Sequence, residues 1–399
     1  MLKAVENLPV VDFATKAYRT QPFPILADYA RQWRVARSTR GVEIFDYDLC
    51  RASIVDSRLG TGHPKLMEVL GLPDGSALDY KRKSISFYNR GETRRKLRRP
   101  IVRLLGEGAS EEFRQDIRRI VSQAIDAVAI DRPVDLIAEF CDRIPSSLYC
   151  KWVNAPESDW KFVAKTSHVV QQVHTRDSSR TDDIVEGFEK LLSYIDERIE
   201  SRRGDLGDDL ISDLIRETHA GNLTHDEVRT WLVKLAEANT DNSSHQIAIA
   251  VIELASRPDV WDRLAKDPSL APAAIREVMR FHPRSISTSR EALVDMDMAG
   301  YAVPAGTPVF ANFGAAHWNS RRYPKPEWFN IDRPVRPLHL NFGGGVFSCV
   351  GRFVVTIEVE ETVAMLAKEF PGLRLEKANF DHSPMFTSVT DLIATLKPN

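Results

Sequence analysis

The feature that most constrains this chain is a glycine-rich segment that leads to a cysteine, His339 to Gly351 (HLNFGGGVFSCVG). Its three consecutive glycines, 343–345, permit backbone conformations that other residues avoid, and they let a flat ligand approach the chain closely. Cys349 stands just before an amphipathic helix predicted over 352–369, where backbone N–H groups and the helix dipole favour a thiolate. A thiolate is what haem iron needs from a proximal ligand for O–O cleavage. The competing interpretation is a buried, inert cysteine beside a glycine turn.

Composition narrows the class of protein. The 399 residues carry a net charge of −2 and are 43% hydrophobic. A chain of this size can bury a core that encloses a bulky cofactor, and its charge gives no reason to expect nucleic acid or a membrane surface as partner. No run of about twenty apolar residues is present, so we expect a cytoplasmic protein. The cysteines lack the spacing of a disulfide framework or a zinc site. They are Cys50, Cys141, Cys150 and Cys349.

Most of the first two thirds of the chain has a helical pattern. A long helix is predicted from Thr224, which forms a capping-box pattern with Glu227, to just before Pro258. Elsewhere apolar residues recur at three- and four-residue steps, which predicts helices. These stretches are 112–129, 183–203 and 205–217.

Short strands are predicted over about 284–312, with Pro304 and Gly306 as the turn residues of a hairpin. No Pro/Gly/Ser-rich linker divides the chain. The pattern therefore predicts a single domain over residues 1–399, mainly α with small β-sheets.

The cysteine segment resembles the haem-binding loop of cytochromes P450, whose pattern is Phe-Gly-x-Gly-x-His/Arg-x-Cys-x-Gly. Phe347 departs from it, because the family usually has there a basic residue that meets a haem propionate. The resemblance implies the cytochrome P450 fold, with haem b between the long central distal helix and the cysteine loop, and Cys349 as the thiolate ligand of iron. The matching residues are Phe342, Gly343, Gly345, Cys349 and Gly351.

A second family motif, Glu-x-x-Arg on a helix, matches Glu277 to Arg280. Residues three apart share a helix face, so the two can pair, and an isolated pair of this kind is most often a weak surface salt bridge. In the family the pair is buried and is completed by an arginine before the cysteine loop. Arg333 occupies that place, and the resemblance implies that these three residues brace the proximal side.

Haem propionates need cationic or N–H donors. The resemblance assigns this role to four residues outside the cysteine loop. They are Arg94, Arg98, Arg290 and His339. The remaining cations of the basic run around Arg94 form either a solvated helix face or a docking patch for an acidic electron-transfer protein. They are Arg95, Lys96, Arg99 and Arg103.

The long helix departs from the family pattern Ala/Gly-Gly-x-Asp/Glu-Thr. Counting back from Arg257 and Pro258 matches that pattern to residues 238–242 (ANTDN). Asp241 keeps the acid, but Asn242 replaces the threonine that hydrogen-bonds dioxygen in the family. An amide positions water but does not relay a proton as a hydroxyl does. We therefore predict that Asp241 or the following Ser243 supplies protons and that Asn242 orients dioxygen and water. Loss of activity, and oxidative coupling without oxygen insertion, remain alternatives.

The same helix predicts part of a substrate pocket. In the family, positions eight and five before the threonine line the pocket and are usually apolar, and here they are Lys234 and Glu237. Either the two pair with each other at i,i+3 spacing, or the substrate must satisfy buried polar groups. The second case favours a polar, heteroatom-rich aromatic substrate. The remaining wall residues implied by the resemblance are Phe87, Ala238, Ser287 and Phe386.

The function implied is that of a monomeric haem-thiolate enzyme, which uses dioxygen and two electrons from a ferredoxin-type donor. It would hydroxylate or oxidatively couple a polar aromatic small molecule of specialised metabolism, such as an amino-acid-derived ring system. One rival is a catalytically altered P450-fold binding protein, which Asn239, Asn242 and Phe347 motivate. Another is a peroxide-driven haem enzyme, although this helix lacks the distal arginine of such relatives.

Overall fold

The computed structural model describes residues 2–64, 71–174 and 178–398. Helices dominate this part of the chain, with short strands near both ends. The α-helices, in chain order, are α1 (Lys16–Thr20), α2 (Pro22–Gln32), α3 (Tyr47–Ser53), α4 (Ser76–Lys83), α5 (Glu92–Leu104), α6 (Glu107–Glu112), α7 (Arg114–Ala127), α8 (Arg143–Trp152), α9 (Trp160–Gln171), α10 (Thr181–Ser201), α11 (Leu210–His219), α12 (His225–Ala255), α13 (Pro258–Lys266), α14 (Ala271–Phe281), α15 (Phe313–His317) and α16 (Arg352–Glu369). The strands are β1 (Lys3–Ala4), β2 (Val35–Ser38), β3 (Gly41–Ile44), β4 (Leu59–Thr61), β5 (Pro133–Asp135), β6 (Ser287–Ala292), β7 (Met296–Met298), β8 (Tyr301–Val303), β9 (Pro308–Asn312), β10 (Arg374–His382) and β11 (Thr387–Thr395).

Helix positions follow the apolar periodicity closely. The helices predicted over 112–129, 183–203 and 352–369 are α7, α10 and α16. The helix predicted over 205–217 begins later than expected, at Leu210. Its start is set by Asp209, whose carboxylate accepts a hydrogen bond from the backbone N–H of Ser212 at 2.9 Å and so caps the first turn.

The capping box before α12 is present as predicted. The backbone N–H of Glu227 donates to Oγ1 of Thr224 at 3.2 Å, and the backbone N–H of Thr224 donates to the Glu227 carboxylate at 2.8 Å. Two N–H groups at the helix start are thereby satisfied. The helix runs without interruption to Ala255, three residues before Pro258, so both predicted ends are confirmed.

The described residues divide into two compact units. Unit 1 holds those within 1–65, 249–349 and 377–392, and unit 2 holds those within 66–248, 350–376 and 393–399. Each unit is assembled from three separate stretches of chain, so neither is a continuous segment of sequence. One domain over residues 1–399 stays a prediction.

Unit 1 contains a mixed five-stranded sheet in the order β2-β3-β9-β6-β4. Strand β9 runs parallel to β3, with Val42 opposite Val309, and antiparallel to β6, with Ser289 opposite Phe310. A turn lies at Pro304 as predicted, but the strands on either side of it do not pair as a hairpin. Strand β8 before it pairs with β7, whereas β9 after it joins the larger sheet.

Unit 2 is mainly helical, and its contacts fix the rotation of residues 225–248 of α12. Three hydrogen bonds with neighbouring helices hold this stretch. The Trp231 indole donates to the Leu97 carbonyl at 3.0 Å, the Tyr149 hydroxyl to the Leu232 carbonyl at 2.9 Å, and the Ser167 hydroxyl to the Ala236 carbonyl at 3.1 Å. Buried donors need acceptors, so these three bonds fix the rotation of α12 about its axis. That rotation decides which side chains of α12 face away from the neighbouring helices.

No helix within 2–64, 71–174 or 178–398 combines the length and the apolar character needed to span a lipid bilayer.

Candidate active site

The cysteine loop folds as a glycine-dependent turn in unit 1. Gly343 and Gly345 have φ angles of +62° and +59°, a left-handed conformation that disfavours side chains. A Cβ at Gly344 would come within 3.1 Å of side-chain atoms of Ile54 and Val55, which would have to shift by a few tenths of an ångström. The backbone N–H of Cys349 then donates to the Phe342 carbonyl at 2.8 Å and closes the loop. All three glycines of the sequence motif therefore have a structural cause.

Cys349 differs from the other cysteines in exposure. It is exposed, whereas the thiols of Cys50, Cys141 and Cys150 are buried, and none of the four forms a disulfide. Burial raises the pKa of the three buried thiols, which keeps them protonated. Cys349 is therefore the cysteine that the structure presents for ligation.

A buried ion triad stabilises the segment that leads to this loop. The Glu277 carboxylate accepts from Arg280 at 2.7 and 2.8 Å and from Nε of Arg333 at 3.0 Å. The side chains of Glu277 and Arg280 are each 3% exposed. Close by, the Asn341 amide donates to the Met279 carbonyl at 2.7 Å, which ties the loop to α14. The predicted pairing of Glu277, Arg280 and Arg333 is thus present, and it is buried rather than a surface salt bridge.

Two cationic or N–H donors predicted for haem lie beside the loop. Nδ1 of His339 is shielded from solvent and has no hydrogen-bond partner among the described residues. Burial lowers the pKa of His339 to about 4, with the charge of Arg276 adding to the effect, so the ring is neutral and carries one N–H. The Arg290 guanidinium lies 4.8 Å from the centre of the Phe347 ring. Phe347, the departure from the loop pattern, therefore stacks against a predicted propionate donor.

These observations fit a haem group. An exposed thiol, an orphaned imidazole nitrogen and an adjacent guanidinium are the donor set that a haem-thiolate site uses. Gly351 has an ordinary φ of −87°, and a Cβ built on it would meet no described protein atom within 4 Å. Contacts within the chain thus do not account for a glycine there, whereas a planar ligand against this backbone would.

The basic run of α5 belongs to unit 2. Arg94 is buried and donates to the carbonyls of Ile85 and Tyr88 at 2.7 and 2.9 Å. Its guanidinium thus has main-chain partners, and Arg98 is half-buried. Both stay predictions as propionate donors. Arg95 and Arg99 are exposed, Lys96 pairs with Glu227 at 2.9 Å, and Arg103 pairs with Glu217.

On α12, the partly exposed side chains lie along one narrow line of the helix surface. From Trp231 to Leu254 most side chains are buried, and four partly exposed residues fall within about 80° of one another at 100° per residue. We call this line the open stripe. Its members are Lys234, Ala238, Asn242 and His245. Asn239 is also partly exposed but lies about 60° further round the helix from Asn242. Glu237 and Asp241 are buried along one flank of the stripe.

Asp241 belongs to a network of charged groups on that flank. Its carboxylate lies 2.7 Å from Nδ1 of His168 on α9, and Nε2 of the same ring lies 2.9 Å from the Asp142 carboxylate. Ser244 also donates to Asp142, and Nε2 of His245 is 3.6 Å from Asp241. Burial alone would lower the pKa of His168, but the bonds to Asp142 and Asp241 raise it to about 10. His168 is therefore an imidazolium between two carboxylates at neutral pH.

Ser243 lies on the opposite flank, about 200° from Asp241. Its hydroxyl donates to the Glu358 carboxylate of α16 at 2.6 Å, and the Asn239 amide donates to the same carboxylate at 3.4 Å. Burial raises the pKa of Glu358 to about 7 against the lowering effect of these bonds. Ser243 thus forms a contact between α12 and α16 on the side of the helix away from Asp241, and its part in proton supply stays a prediction.

Asn242 and Glu237 also have defined partners. The Asn242 amide donates to the Ala238 carbonyl one turn back at 2.8 Å, while its Oδ1 is shielded from solvent and has no hydrogen-bond partner among the described residues. Glu237 is fully buried and pairs with Lys234 at 3.4 Å and with Lys81. The pairing of Lys234 with Glu237 is the first of the two alternatives that the sequence left open.

The other predicted pocket residues differ in which unit they belong to and in what they contact. Phe87 is partly buried in a short 3₁₀ turn of unit 2. In unit 1, the Ser287 hydroxyl is buried and donates to the Pro384 carbonyl at 2.7 Å, and Phe386 lies under the Arg284 guanidinium at 4.8 Å. All three stay predictions as pocket walls.

Sequence reasoning missed His168, Asp142 and Glu358 as partners of the central helix. Each lies more than 70 residues from Asp241 or Ser243 along the chain. Only the packing of α9 and α16 against α12 brings them together, and no local pattern encodes it.

Comparisons with known proteins agree with this geometry. Residues 157–386 match the family model described as Cytochrome P450. Luteothin monooxygenase of Streptomyces thioluteus is 27% identical over 365 residues, which cover 90% of this chain and 89% of that protein. Nocardicin C N-oxygenase of Nocardia uniformis subsp. tsuyamanensis is 30% identical over 285 residues, 70% of each chain. The crystal structure of CalO2 matches with a TM-score of 0.89 over 98% of this chain and all of that one, at 22% identity. The mainly α fold with small β-sheets is confirmed.

Proposed function

This chain belongs to the cytochrome P450 family, and on that footing we propose that it is a haem-thiolate monooxygenase of secondary metabolism with Cys349 as the axial ligand. The observation that carries the proposal is the cysteine loop. It combines left-handed glycines, a closed backbone hydrogen bond and an exposed thiol directly before α16. Both relatives named above are oxygenases by name, which supports the same reaction type here.

When bound, haem would supply the activation of dioxygen with two electrons from a ferredoxin-type donor. Cys349 would hold the group through its thiolate. Arg290 and His339 would bind propionates, the first by charge and the second by its N–H. Phe347 keeps the Arg290 guanidinium in place from one side by stacking, so an aromatic residue at this position still serves the propionate site.

Asp241 is our candidate for proton delivery. Its carboxylate is held by His168, which the Asp142 carboxylate holds in turn from the other ring nitrogen. Such an arrangement fixes the position of Asp241 while leaving a proton-bearing group in contact with it. Asn242 has a shielded Oδ1 that calls for a donor. We propose that Oδ1 accepts from a water or from a substrate N–H or O–H.

Hydroxylation and oxidative coupling are both compatible with this residue set. Asn242 cannot relay a proton as the family threonine does. Coupling would result if the activated haem removed hydrogen from the substrate without inserting oxygen. We propose a polar, aromatic small molecule as substrate, as the sequence predicted. Because Glu237 is satisfied within the protein, the support for a polar substrate now comes from Asn242 and Lys234 instead.

Isotope labelling tests the reaction type. The holoprotein, a ferredoxin and its reductase are incubated under ¹⁸O₂ with a panel of aromatic natural products, and products are identified by mass spectrometry. A product with one ¹⁸O supports monooxygenation, and a product that has lost two hydrogens without label supports coupling. Binding of panel compounds without electron consumption or product would favour the binding-protein alternative. Equal rates with hydrogen peroxide alone would favour the peroxide-driven one.

A further inference from the structure

The start of the open stripe carries a positive charge that its surroundings do not balance. Lys234 and Lys81 both face the single carboxylate of Glu237. The Lys81 side chain is 5% exposed and hydrogen-bonds Glu237 directly, whereas Lys234 is 17% exposed and its Nζ lies 3.4 Å from Oε2. Among the described residues Lys234 has no other carboxylate partner. Two ammonium groups thus share one negative charge.

The remaining neighbours of Glu237 add no charge. The Tyr80 hydroxyl donates to Oε2 at 2.7 Å, and Nε2 of His174 lies 3.8 Å from Oε1. Burial raises the pKa of Tyr80 and lowers that of His174, so both groups are neutral at pH 7. Burial lowers the pKa of Lys81 to about 8, with Glu237 opposing and Lys234 adding to the shift, so Lys81 stays largely protonated. The cluster therefore holds one uncompensated positive charge in a nearly buried position. This condition favours the binding of a counter-anion.

A second unsatisfied group lies further along the same line. Oδ1 of Asn242 is shielded and has no hydrogen-bond partner among the described residues. Eight residues separate Lys234 from Asn242, which is about 12 Å along the helix axis. The residue between them, Ala238, is small and partly exposed. One end of the stripe thus needs an anion, and the other needs a hydrogen-bond donor.

We propose that the open stripe is a recognition site for a carboxylate-bearing aromatic ligand, whose anion pairs with Lys234 and whose N–H donates to Oδ1 of Asn242. The distance of about 12 Å separates Cα atoms, so a ligand that reaches both side chains must carry its anion and its N–H donor several ångströms apart. An N-acylated tryptophan meets this condition through its carboxylate and its indole N–H, whereas its α-amide N–H lies only about 3 Å from the carboxylate. The inference rests on the proposed function, since it names the substrate class of the same enzyme.

The test compares two probes that differ only in charge, N-acetyl-L-tryptophan and N-acetyl-L-tryptophanamide. Binding to the holoprotein is measured by isothermal titration calorimetry at millimolar probe, which does not require turnover. We expect the acid to bind about tenfold or more tightly than the amide, and Lys234→Met to remove that difference. Lys83→Met is the matched control. Lys83 is an exposed lysine of α4 that pairs with Asp226 at 2.7 Å, so the preference should survive its loss.

A measurement without ligand tests the charge imbalance itself. Lys234→Met removes the excess cation and should leave the melting temperature unchanged or higher. Glu237→Gln leaves two ammonium groups without a carboxylate and should lower it by several degrees. Equal binding of acid and amide, no binding of either, an acid preference that persists in Lys234→Met, or a clear loss of stability in Lys234→Met would overturn the proposal.

The reduced, CO-bound spectrum of the same samples separates this inference from the proposed function. If the thiolate-type Soret band is absent, the haem-thiolate assignment fails whatever the probes do. If the band is present and the acid preference is absent, only the anion-recognition proposal fails.

Discussion

The cysteine loop and the central helix α12 differ in what holds each of them in place. The loop is fixed by its own backbone, through two left-handed glycines and a hydrogen bond between residues seven apart. The helix is fixed by side chains from distant elements, His168 and Asp142 on one flank and Glu358 on the other. The loop keeps the family pattern at five positions, while the helix has changed at Asn239 and Asn242. The geometry of the loop therefore depends on local backbone conformation, and that of the helix depends on partners that are distant in sequence.

Among the predicted effects on stability, that of removing the charge of Glu277, which braces the cysteine loop, should be the largest. Glu277→Gln leaves two buried guanidinium groups without their carboxylate, and we expect the free energy of unfolding to fall by about 3–5 kcal/mol with loss of haem. Urea denaturation and haem content measure it. Asp332→Asn, which removes an exposed partner of Arg263, should change stability little. A loss below about 1 kcal/mol for Glu277→Gln would mean that the triad does not brace the loop.

On the helix side, Asp241→Asn should leave the haem site intact and reduce turnover. We expect a decrease of about 10²–10³-fold in oxygenation rate, because proton delivery by a positioned acid contributes about that much. Rates with the ferredoxin system are compared with those of Asp226→Asn, an exposed residue of the same helix. Turnover within fivefold of the unsubstituted protein would remove Asp241 from the mechanism.

Glu358 allows a pH-dependent test of the other flank. Its folded-state pKa of about 7 lies above the usual 4.5, so the folded protein binds the proton more tightly than the unfolded chain does. The resulting stability is complete below about pH 4.5 and is lost as pH rises through 7. Glu358→Gln should therefore gain stability relative to the unsubstituted protein between pH 5 and 8, by up to about 3 kcal/mol. Denaturation curves at four pH values measure this, with the exposed Glu369→Gln as a control. A constant difference across pH would contradict the shift.

The smallest predicted effect concerns the start of α12. Thr224→Ala removes one half of the capping box and should cost about 1 kcal/mol of unfolding free energy. Because the cap lies far along the helix from Asp241, the CO-bound spectrum and turnover should not change. Chemical denaturation in parallel with these assays measures the effect, and altered turnover would show that the helix start and the reactive segment are coupled.

How much the sequence could predict follows the same division. The ends of α12 and α16 and the glycine turn of the cysteine loop were predictable, because capping residues, periodicity and glycine conformations are local signals. The Glu277–Arg280–Arg333 triad was implied by the family resemblance, since spacing alone favours a surface salt bridge. The contact of Ser243 with Glu358 was not predictable, since helical spacing alone does not say which distant residue a side chain meets. The turn at Pro304 was predicted, but strand partners depend on distant pairing.

The most direct test of the central claim is the reduced, CO-bound absorption spectrum of three proteins side by side. The unsubstituted protein should show the red-shifted Soret band of a thiolate-ligated haem. Cys349→Ser should lose that band, and Asp241→Asn should keep it. Absence of the band in the unsubstituted protein, or its retention in Cys349→Ser, would contradict the assignment of Cys349 as the iron ligand.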